Sequence, residues 1–293
     1  MNLIASSEGV NIYCLKDGKF SFFNSPYPAH RSYTGIDVYP KRAFGDIAPS
    51  PVGGEVTKVR QVKCTQGKDF EGSSYDYVIL VSSIENSKRW VKILHVEPRV
   101  KVGDTVEPGE DLGMLLRSGF FNFWTDPHLH VEVREPSDPI RARGGFKFDR
   151  LIEANALEAA RALGGTVVES KPEYSLVALN EEFKHGIPVG LDGQVGLLDA
   201  GVPHYKWFGV HMDTCPSRGG AIRLCGRKIG TVKSTHSNMY IAESCNPNFM
   251  LNGKLVGLSF YLYPSSTPLV KVIPRRPGRL ALEKSEEVSV VIS

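Results

Sequence analysis

Short runs in which apolar and polar residues alternate, separated by glycine- and proline-bearing corners, recur along nearly the whole chain. A period of two is the signature of half-buried β-strands. Residues 11–15 and 20–23 are β-prone runs flanking Asp17-Gly18, a pair that tolerates the positive φ of a tight turn, and predict an opening hairpin. A loop rich in proline and tyrosine (Pro26, Tyr27, Pro28) leads to 33–38, whose alternation predicts a strand ending near Pro40. Residues 48–62, with Gly53-Gly54, read as a strand that bends sharply. Residues 77–81 and 90–96 are strong strand candidates across the polar turn 85–88. The stretch 102–113 places glycines and a proline at tight corners. It leads to an aromatic loop (Phe120, Phe121, Phe123, Trp124) and then to the strand 127–133. The four aromatics read either as the lining of a groove or as a local cluster pinning a long loop.

One segment has a helical period instead. Asp149 is placed to cap it, Ile152, Ala156, Ala159, Ala160 and Leu163 share one face, and Gly164-Gly165 ends it. β-runs resume at 206–211, 239–242 and 255–262. The expected fold class is therefore mainly β: an N-terminal antiparallel β-sheet groove domain over 1–146, a linking α-helix over 147–165, and an all-β domain over 166–293.

Composition adds exclusions. The chain has 293 residues, with 35 basic against 32 acidic side chains and a net charge of +3. This gives no field that would argue for nucleic acid or a membrane as partner. No apolar run reaches membrane-spanning length, and residues 1–8 lack the positive flank and apolar stretch of a signal peptide, so a cytoplasmic location is expected. The five cysteines (Cys14, Cys64, Cys215, Cys225, Cys245) contain no Cys-x-x-Cys pair and are expected to be reduced and mostly buried. Arg275, Arg276 and Arg279 read as a solvated basic loop.

Candidate chemistry gathers in the first half. In the strand carrying His128-Leu129-His130, the two imidazoles project side by side while Leu129 and Val131 point behind them, a platform for metal binding or proton transfer. Asp37 lies between apolar residues of a predicted strand, and His95 ends another, where site residues collect. In the second half, His204, His211, Asp213 and His236 offer one His-x-Asp but no further ligand spacing.

Taken together, Gly35-Ile36-Asp37, Leu94-His95, Val102-Gly103-Asp104-x-Val106-x-x-Gly109-x-x-Leu112-Gly113 and His128-Leu129-His130-x-Glu132-Val133 resemble, in order and interval, the M23 (LytM-type) zinc metallopeptidases. The resemblance covers about the first half of the chain. It implies an antiparallel β-sheet groove with one zinc ion, Asp37 and His130 as ligands, and His128 and His95 as catalytic partners. The family's usual substrates are peptide crosslinks of bacterial cell walls. One position departs from the pattern: the family carries a histidine four residues before the aspartate, where this chain has Tyr33. The nearest histidine, His30, is seven residues before Asp37, and an odd separation along a regular strand faces it the other way. His30 then reaches the site only through a bulge or folded loop. Otherwise the Tyr33 phenolate is the ligand, or the metal site is weakened or empty.

Two functions follow as expectations. In one, zinc held by His30, Asp37 and His130 serves a hydrolase of peptide or amide bonds. In the other, an inactive relative binds a peptide or protein partner in the groove. The corners at 51–56 and 102–106 are also similar to lipoyl- and biotin-type carriers, but the Lys-Met pair of those domains does not occur, so that likeness is one of fold.

Overall fold

A computed structural model describes residues 1–214 and 219–293; Cys215 lies outside them. The chain divides into two compact units, Met1–Phe22 with Tyr27–Ile152, and Phe23–Pro26 with Glu153–Ser293. Both are built from antiparallel strands. Among the described residues no helix is long and apolar enough to cross a membrane.

The strands of the first unit are β1 (Asn2–Ser7), β2 (Val10–Cys14), β3 (Lys19–Ser21), β4 (Ile36–Tyr39), β5 (Ile47–Pro49), β6 (Gly54–Lys63), β7 (Tyr75–Ser83), β8 (Trp90–Leu94), β9 (Val96–Pro98), β10 (Thr105–Val106), β11 (Asp111–Leu115), β12 (Leu129–Arg134) and β13 (Asp149–Arg150), with one helical turn, α1 (Pro28–Arg31). Seven strands form the main sheet in the order β10-β6-β7-β8-β12-β4-β3. All six residues of β12 are buried, and β8 and β4 pair with both of its edges. Its register sets His130 opposite Asp37 on β4 and Leu94 on β8. Directly opposed residues of antiparallel strands share a face, so this pairing alone puts Asp37 beside His130. Two smaller sheets, β13-β1-β2 and β5-β11-β9, complete the unit.

The opening hairpin is paired differently from the sequence expectation. β2 pairs with β1 across Glu8-Gly9, whose φ values of 51° and 76° suit a tight hairpin turn. β3 joins the main sheet beside β4 instead. The positive φ expected of Gly18 does not occur.

The linking helix over 147–165 is also absent. Asp149 and Arg150 pair with Ser6 and Ala5 of β1, and Leu163 begins the strand β14 (Leu163–Ser170). Of the intended apolar face Ala160 and Leu163 are buried, but within strand pairings and loop contacts of the second unit, and Leu157 between them and Ile152 is fully exposed. The Ala160 N–H bonds instead to the Pro188 carbonyl, 3.1 Å away. A helix this short depends on tertiary packing, and pairing within each unit claims its ends first.

The second unit also contains β15 (Ser175–Leu179), β16 (Ile187–Leu191), β17 (Gln194–Val202), β18 (Trp207–His211), β19 (Ala221–Leu224), β20 (Arg227–His236), β21 (Met239–Ser244), β22 (Phe249–Leu251), β23 (Lys254–Phe260), β24 (Leu269–Pro274) and β25 (Glu287–Ile292). Its pairings close into two rings of six strands. One runs β16-β19-β20-β21-β18-β17 and returns to β16; the other runs β23-β22-β25-β14-β15-β24 and returns to β23. β17 joins them: residues up to Asp199 pair with β16 and β18, and Ala200–Val202 pairs with β23. Closure removes exposed strand edges, and the inward positions supply a continuous apolar core that includes Phe208, Phe249 and Phe260.

Of the described cysteines, Cys14 and Cys64 are buried, Cys225 is partly covered and Cys245 is exposed, so burial extends to fewer of them than expected. All four are free thiols, and burial foremost pushes the Cys14 thiol up to about 12.

The glycine corners are strict. At Gly54 (φ +156°) and Gly113 (φ +148°) a Cβ would stand 2.0 Å from the carbonyl oxygens of Ser82 and Glu97. Gly54→Ala and Gly113→Ala are each expected to cost on the order of 3 kcal/mol, against about 1 kcal/mol for Gly45→Ala, which has open space, as read from urea unfolding.

Candidate metal centre

Three elements deliver the centre. Asp37 comes from β4 and His130 from β12 by their register, and His30 comes from α1. The helical turn starts at Pro28, whose fixed φ suits the first helical position. It is closed by Ser32 N–H to Ala29 O (3.1 Å), Tyr33 N–H to His30 O (3.2 Å) and Thr34 N–H to Ala29 O (2.9 Å). Tyr33 then takes a φ of 63° and turns the chain into β4. The helical turn and this left-handed residue together bridge the seven-residue separation that a regular strand would place on the wrong face. His30 faces Asp37 and His130; the Tyr33 ring is buried within 5.8 Å of Lys147 Nζ. Gly35 permits the close packing of α1 on β12, since a Cβ there would lie 2.8 Å from His130 Cε1 and 3.0 Å from Ala29 Cβ.

The three side chains are buried and their ligand atoms lie within 4.8 Å of one another. His30 Nε2 is 3.1 Å from His130 Nδ1 and 3.2 Å from Asp37 Oδ1, and His130 Nδ1 is 2.8 Å from the same Oδ1. The outer nitrogens each face an acceptor as well. His30 Nδ1 is 2.7 Å from the Phe22 carbonyl, and His130 Nε2 is 3.2 Å from Glu132 Oε1. Both partners only accept, so the tautomer that donates outward leaves each inner nitrogen's lone pair for a metal, while a proton on an inner nitrogen is taken by Asp37 Oδ1. Without a cation Asp37 is the acceptor at the middle of the triad, and with one the same three atoms serve as ligands. Zinc at 2.0–2.1 Å from N and O ligands spaces tetrahedral donors roughly 3.3 Å apart, a few tenths of an ångström wider than this triangle. The donor set fits a single divalent ion.

His128 and His95 follow the same rule. His128 Nδ1 is 2.9 Å from the Asp126 carbonyl, leaving Nε2 on the inner side, 3.7 Å from Asp37 Oδ2. His95, at the strand break with φ 71°, is gripped by Asp76, which accepts from its backbone N–H (3.0 Å) and from Nδ1 (2.6 Å). The His95 and His128 ring centroids are 5.0 Å apart. Phe121 of the aromatic loop stacks on His128 at 4.8 Å and meets the His95 ring at 4.6 Å, so this residue lines the centre. Phe120, by contrast, is exposed.

Burial, with His95 and His130 adding to it against the pull of Asp37, lowers the His128 imidazole to about 4. Burial would raise the Asp37 carboxyl, but His30, His128 and His130 outweigh it and hold Asp37 well below its ordinary value. Asp76 likewise falls to about 2, burial being overcome by His95.

Behind His130 lies an ionic support that sequence reasoning missed. Glu132 Oε1 takes Lys92 Nζ at 2.6 Å, and Oε2 takes Arg134 Nη1 at 3.0 Å. Lys92 also reaches the Tyr27 hydroxyl at 3.1 Å, and the Tyr27 ring lies edge-on to His130 at 4.9 Å. Glu132 is held at about 2, because His130 and Lys92 outweigh the effect of burial. The signal was present: His128, His130, Glu132 and Arg134 recur at period two and share a face. Asp76, a lone acid between tyrosines, carried no comparable signal.

Comparison with known proteins adds the following. Residues 11–150 match the family model described as "Domain of unknown function (DUF8155) N-terminal domain". Among solved structures, a mutant catalytic domain of the prophage-encoded M23 protein EnpA from Enterococcus faecalis aligns at 24% identity, covering 39% of this chain and 72% of that one, with a TM-score of 0.26. Lysostaphin aligns at 14% identity over 96% of this chain and 100% of that one, with a TM-score of 0.29. No curated protein matches the chain.

Two outcomes follow from the geometry. Glu132→Ala leaves Lys92 and Arg134 buried without their counter-charge and is expected to destabilise the first unit by about 3–5 kcal/mol in urea unfolding. In metal-free protein His128 is expected to stay neutral down to about pH 4 in an NMR titration. Its folded value lies below the ordinary 6.5, so the unfolded chain takes up the proton first. Stability present above pH 6.5 is then lost as pH falls toward 4, on the order of 3 kcal/mol in all, and His128→Gln removes that part of the slope.

Proposed function

We propose that the first unit is a zinc-dependent hydrolase of peptide or amide bonds, of the M23 type that the sequence resembles. The observation carrying this reading is the convergence of His30 Nε2, Asp37 Oδ1 and His130 Nδ1 in a buried triad whose rings have acceptors at their outer nitrogens, an arrangement that a cation satisfies. His30, Asp37 and His130 would be the ligands, and Tyr33 has no part in the set. When bound, the ion brings the pKa of a coordinated water toward neutrality and polarises the substrate carbonyl.

The chain's own residues do the rest. Asp126 holds His128 with its Nε2 lone pair inward, where it takes the proton of the attacking water and returns it to the leaving amine. His95, oriented through Nδ1 by Asp76, presents Nε2 to the same space and, when protonated there, donates to the carbonyl oxygen as charge develops on it. Phe121 against both rings limits their rotation and excludes water from one side.

Elemental analysis after zinc loading is expected to find one zinc per chain, lost in His30→Ala and in Asp37→Ala but kept in Tyr33→Phe. Cleavage of a mixed peptide library is expected to stop with a chelator and to fall at least about 100-fold in His128→Ala while zinc is retained. A chain that stays metal-free with zinc supplied overturns the reading. Zinc binding without cleavage leaves the peptide-binding alternative.

A further inference from the structure

The basic cluster near the end of the chain is exposed, as expected of a solvated loop, and it also borders a groove. Arg275, Arg276 and Arg279, with Lys254, line one groove of about 640 Å³ in the second unit. Its floor is apolar: Met250, Leu255, Val256, Pro274 and Leu280. The pairing explains the assembly. Met250 lies opposite Leu255 across the hairpin of β22 and β23, and Val256 lies opposite Pro274 at the end of β24. The two strands therefore form a hydrophobic step, and the chain leaving β24 runs along its rim. A groove of a few hundred cubic ångströms with an apolar floor and a few convergent polar groups is the usual form of a small-ligand site.

The backbone that carries the rim arginines is held in place. Residues 276–279 carry the signature of a type II turn: Pro277 at the second position, Gly278 with φ 73° at the third, and Arg279 N–H bonded to Arg276 O at 3.2 Å. Such a turn keeps the Cα atoms of its first and fourth residues within about 7 Å, so Arg276 and Arg279 start from neighbouring points. The turn is itself anchored, since the Gly278 N–H bonds to the Pro172 carbonyl at 2.7 Å and Lys254 Nζ to the Arg279 carbonyl at 3.1 Å.

No acidic residue lines the groove. Glu286, on the following loop, binds the Asn252 amide (3.4 Å), and its other oxygen binds the Glu283 N–H (2.9 Å). Among the described residues none of the three guanidinium groups is paired with a carboxylate, in contrast to Arg89, Arg99 and Arg161. Exposed arginines without counter-charge, on an anchored backbone beside an apolar floor, suit an anion with two or more acceptor oxygens joined to a hydrophobic body. A phosphate ester satisfies both halves.

We propose that this groove binds a phosphate ester carrying an apolar group, its phosphate on Arg275, Arg276 and Arg279 and its apolar part on Met250, Leu255, Val256, Pro274 and Leu280. The site is independent of the metal centre and of the hydrolase reading. The same chemistry is offered by a soluble phosphate ester and by the headgroup region of an anionic phospholipid.

Calorimetry on the full chain tests it, with phenyl phosphate and inorganic phosphate as probes and Arg276→Ala/Arg279→Ala as the variant. Arg42→Ala/Arg60→Ala, which removes the same charge from exposed positions in the first unit, is the control. Phenyl phosphate is expected to bind at one saturable site, at least about tenfold more tightly than inorganic phosphate, and to weaken with salt. Affinity is expected to fall at least about tenfold in Arg276→Ala/Arg279→Ala and to hold in the control. Sedimentation with phosphatidylcholine vesicles with and without phosphatidylglycerol identifies the source. Capture that needs phosphatidylglycerol and the two arginines supports a lipid, and arginine-dependent phenyl phosphate binding without capture supports a soluble ester. Absence of both, equal losses in variant and control, or inorganic phosphate binding as tightly as phenyl phosphate overturns the proposal.

Discussion

The convergence of two buried imidazoles on one buried carboxylate is the constraint on which the first unit turns. His30 Nε2, His130 Nδ1 and Asp37 Oδ1 stand 2.8–3.2 Å apart, and each imidazole has a further acceptor at its outer nitrogen. In water such groups would separate and hydrate. Here they are held by fold: β12 pairs Asp37 against His130, Gly35 lets α1 approach, and the Phe22 carbonyl and Glu132 orient the two rings. A buried carboxylate is unfavourable alone and becomes favourable once positive charge or a donated proton lies beside it, which protonated imidazoles or a cation at this point supply.

The ionic support behind His130 shows how such a site is kept rigid. A lysine, a glutamate and an arginine, all essentially fully buried, are expensive to remove from water, and their mutual attraction offsets that cost only in good geometry. The geometry is good: Lys92 takes one carboxylate oxygen and Arg134 the other, while the rest of the Arg134 guanidinium binds the carbonyls of Asp138 and Arg143. Each charge is held from more than one side. A ring attached to this network cannot swing without breaking several bonds together. His95 and His128 are fixed on a smaller scale by Asp76 and the Asp126 carbonyl.

How much of this the sequence disclosed depends on the range of the interaction. The strand bearing His128 and His130 was legible, because period two states both burial and side-chain direction; the same pattern set Asp37 on a strand, and only the resemblance gave it a place in the site. The resemblance of the first half to the M23 pattern then drew attention to His95. Features set by distant pairing were not legible. Residues 147–165 have a helical period, yet β1 takes up Asp149 and Arg150 and β16 takes the Ala160 N–H. The expected partner of β2 lay on the wrong side, since the turn at Glu8-Gly9 decides it. Ring closure in the second unit joins strands such as β14 and β25, more than 100 residues apart, and local patterning carries no trace of that. α1 is a single turn, too short for any periodicity to show.

The way His30 reaches the centre has a consequence for recognising such chains at all. A motif that counts positions assumes that the backbone between two ligands is always of one kind. In this chain one helical turn and one left-handed tyrosine occupy the interval, and they set an imidazole beside Asp37 from a different distance along the sequence. Screens that score the aspartate's neighbour at a fixed offset would discard this protein as a degenerate relative, whereas a search on the spatial triad would retain it.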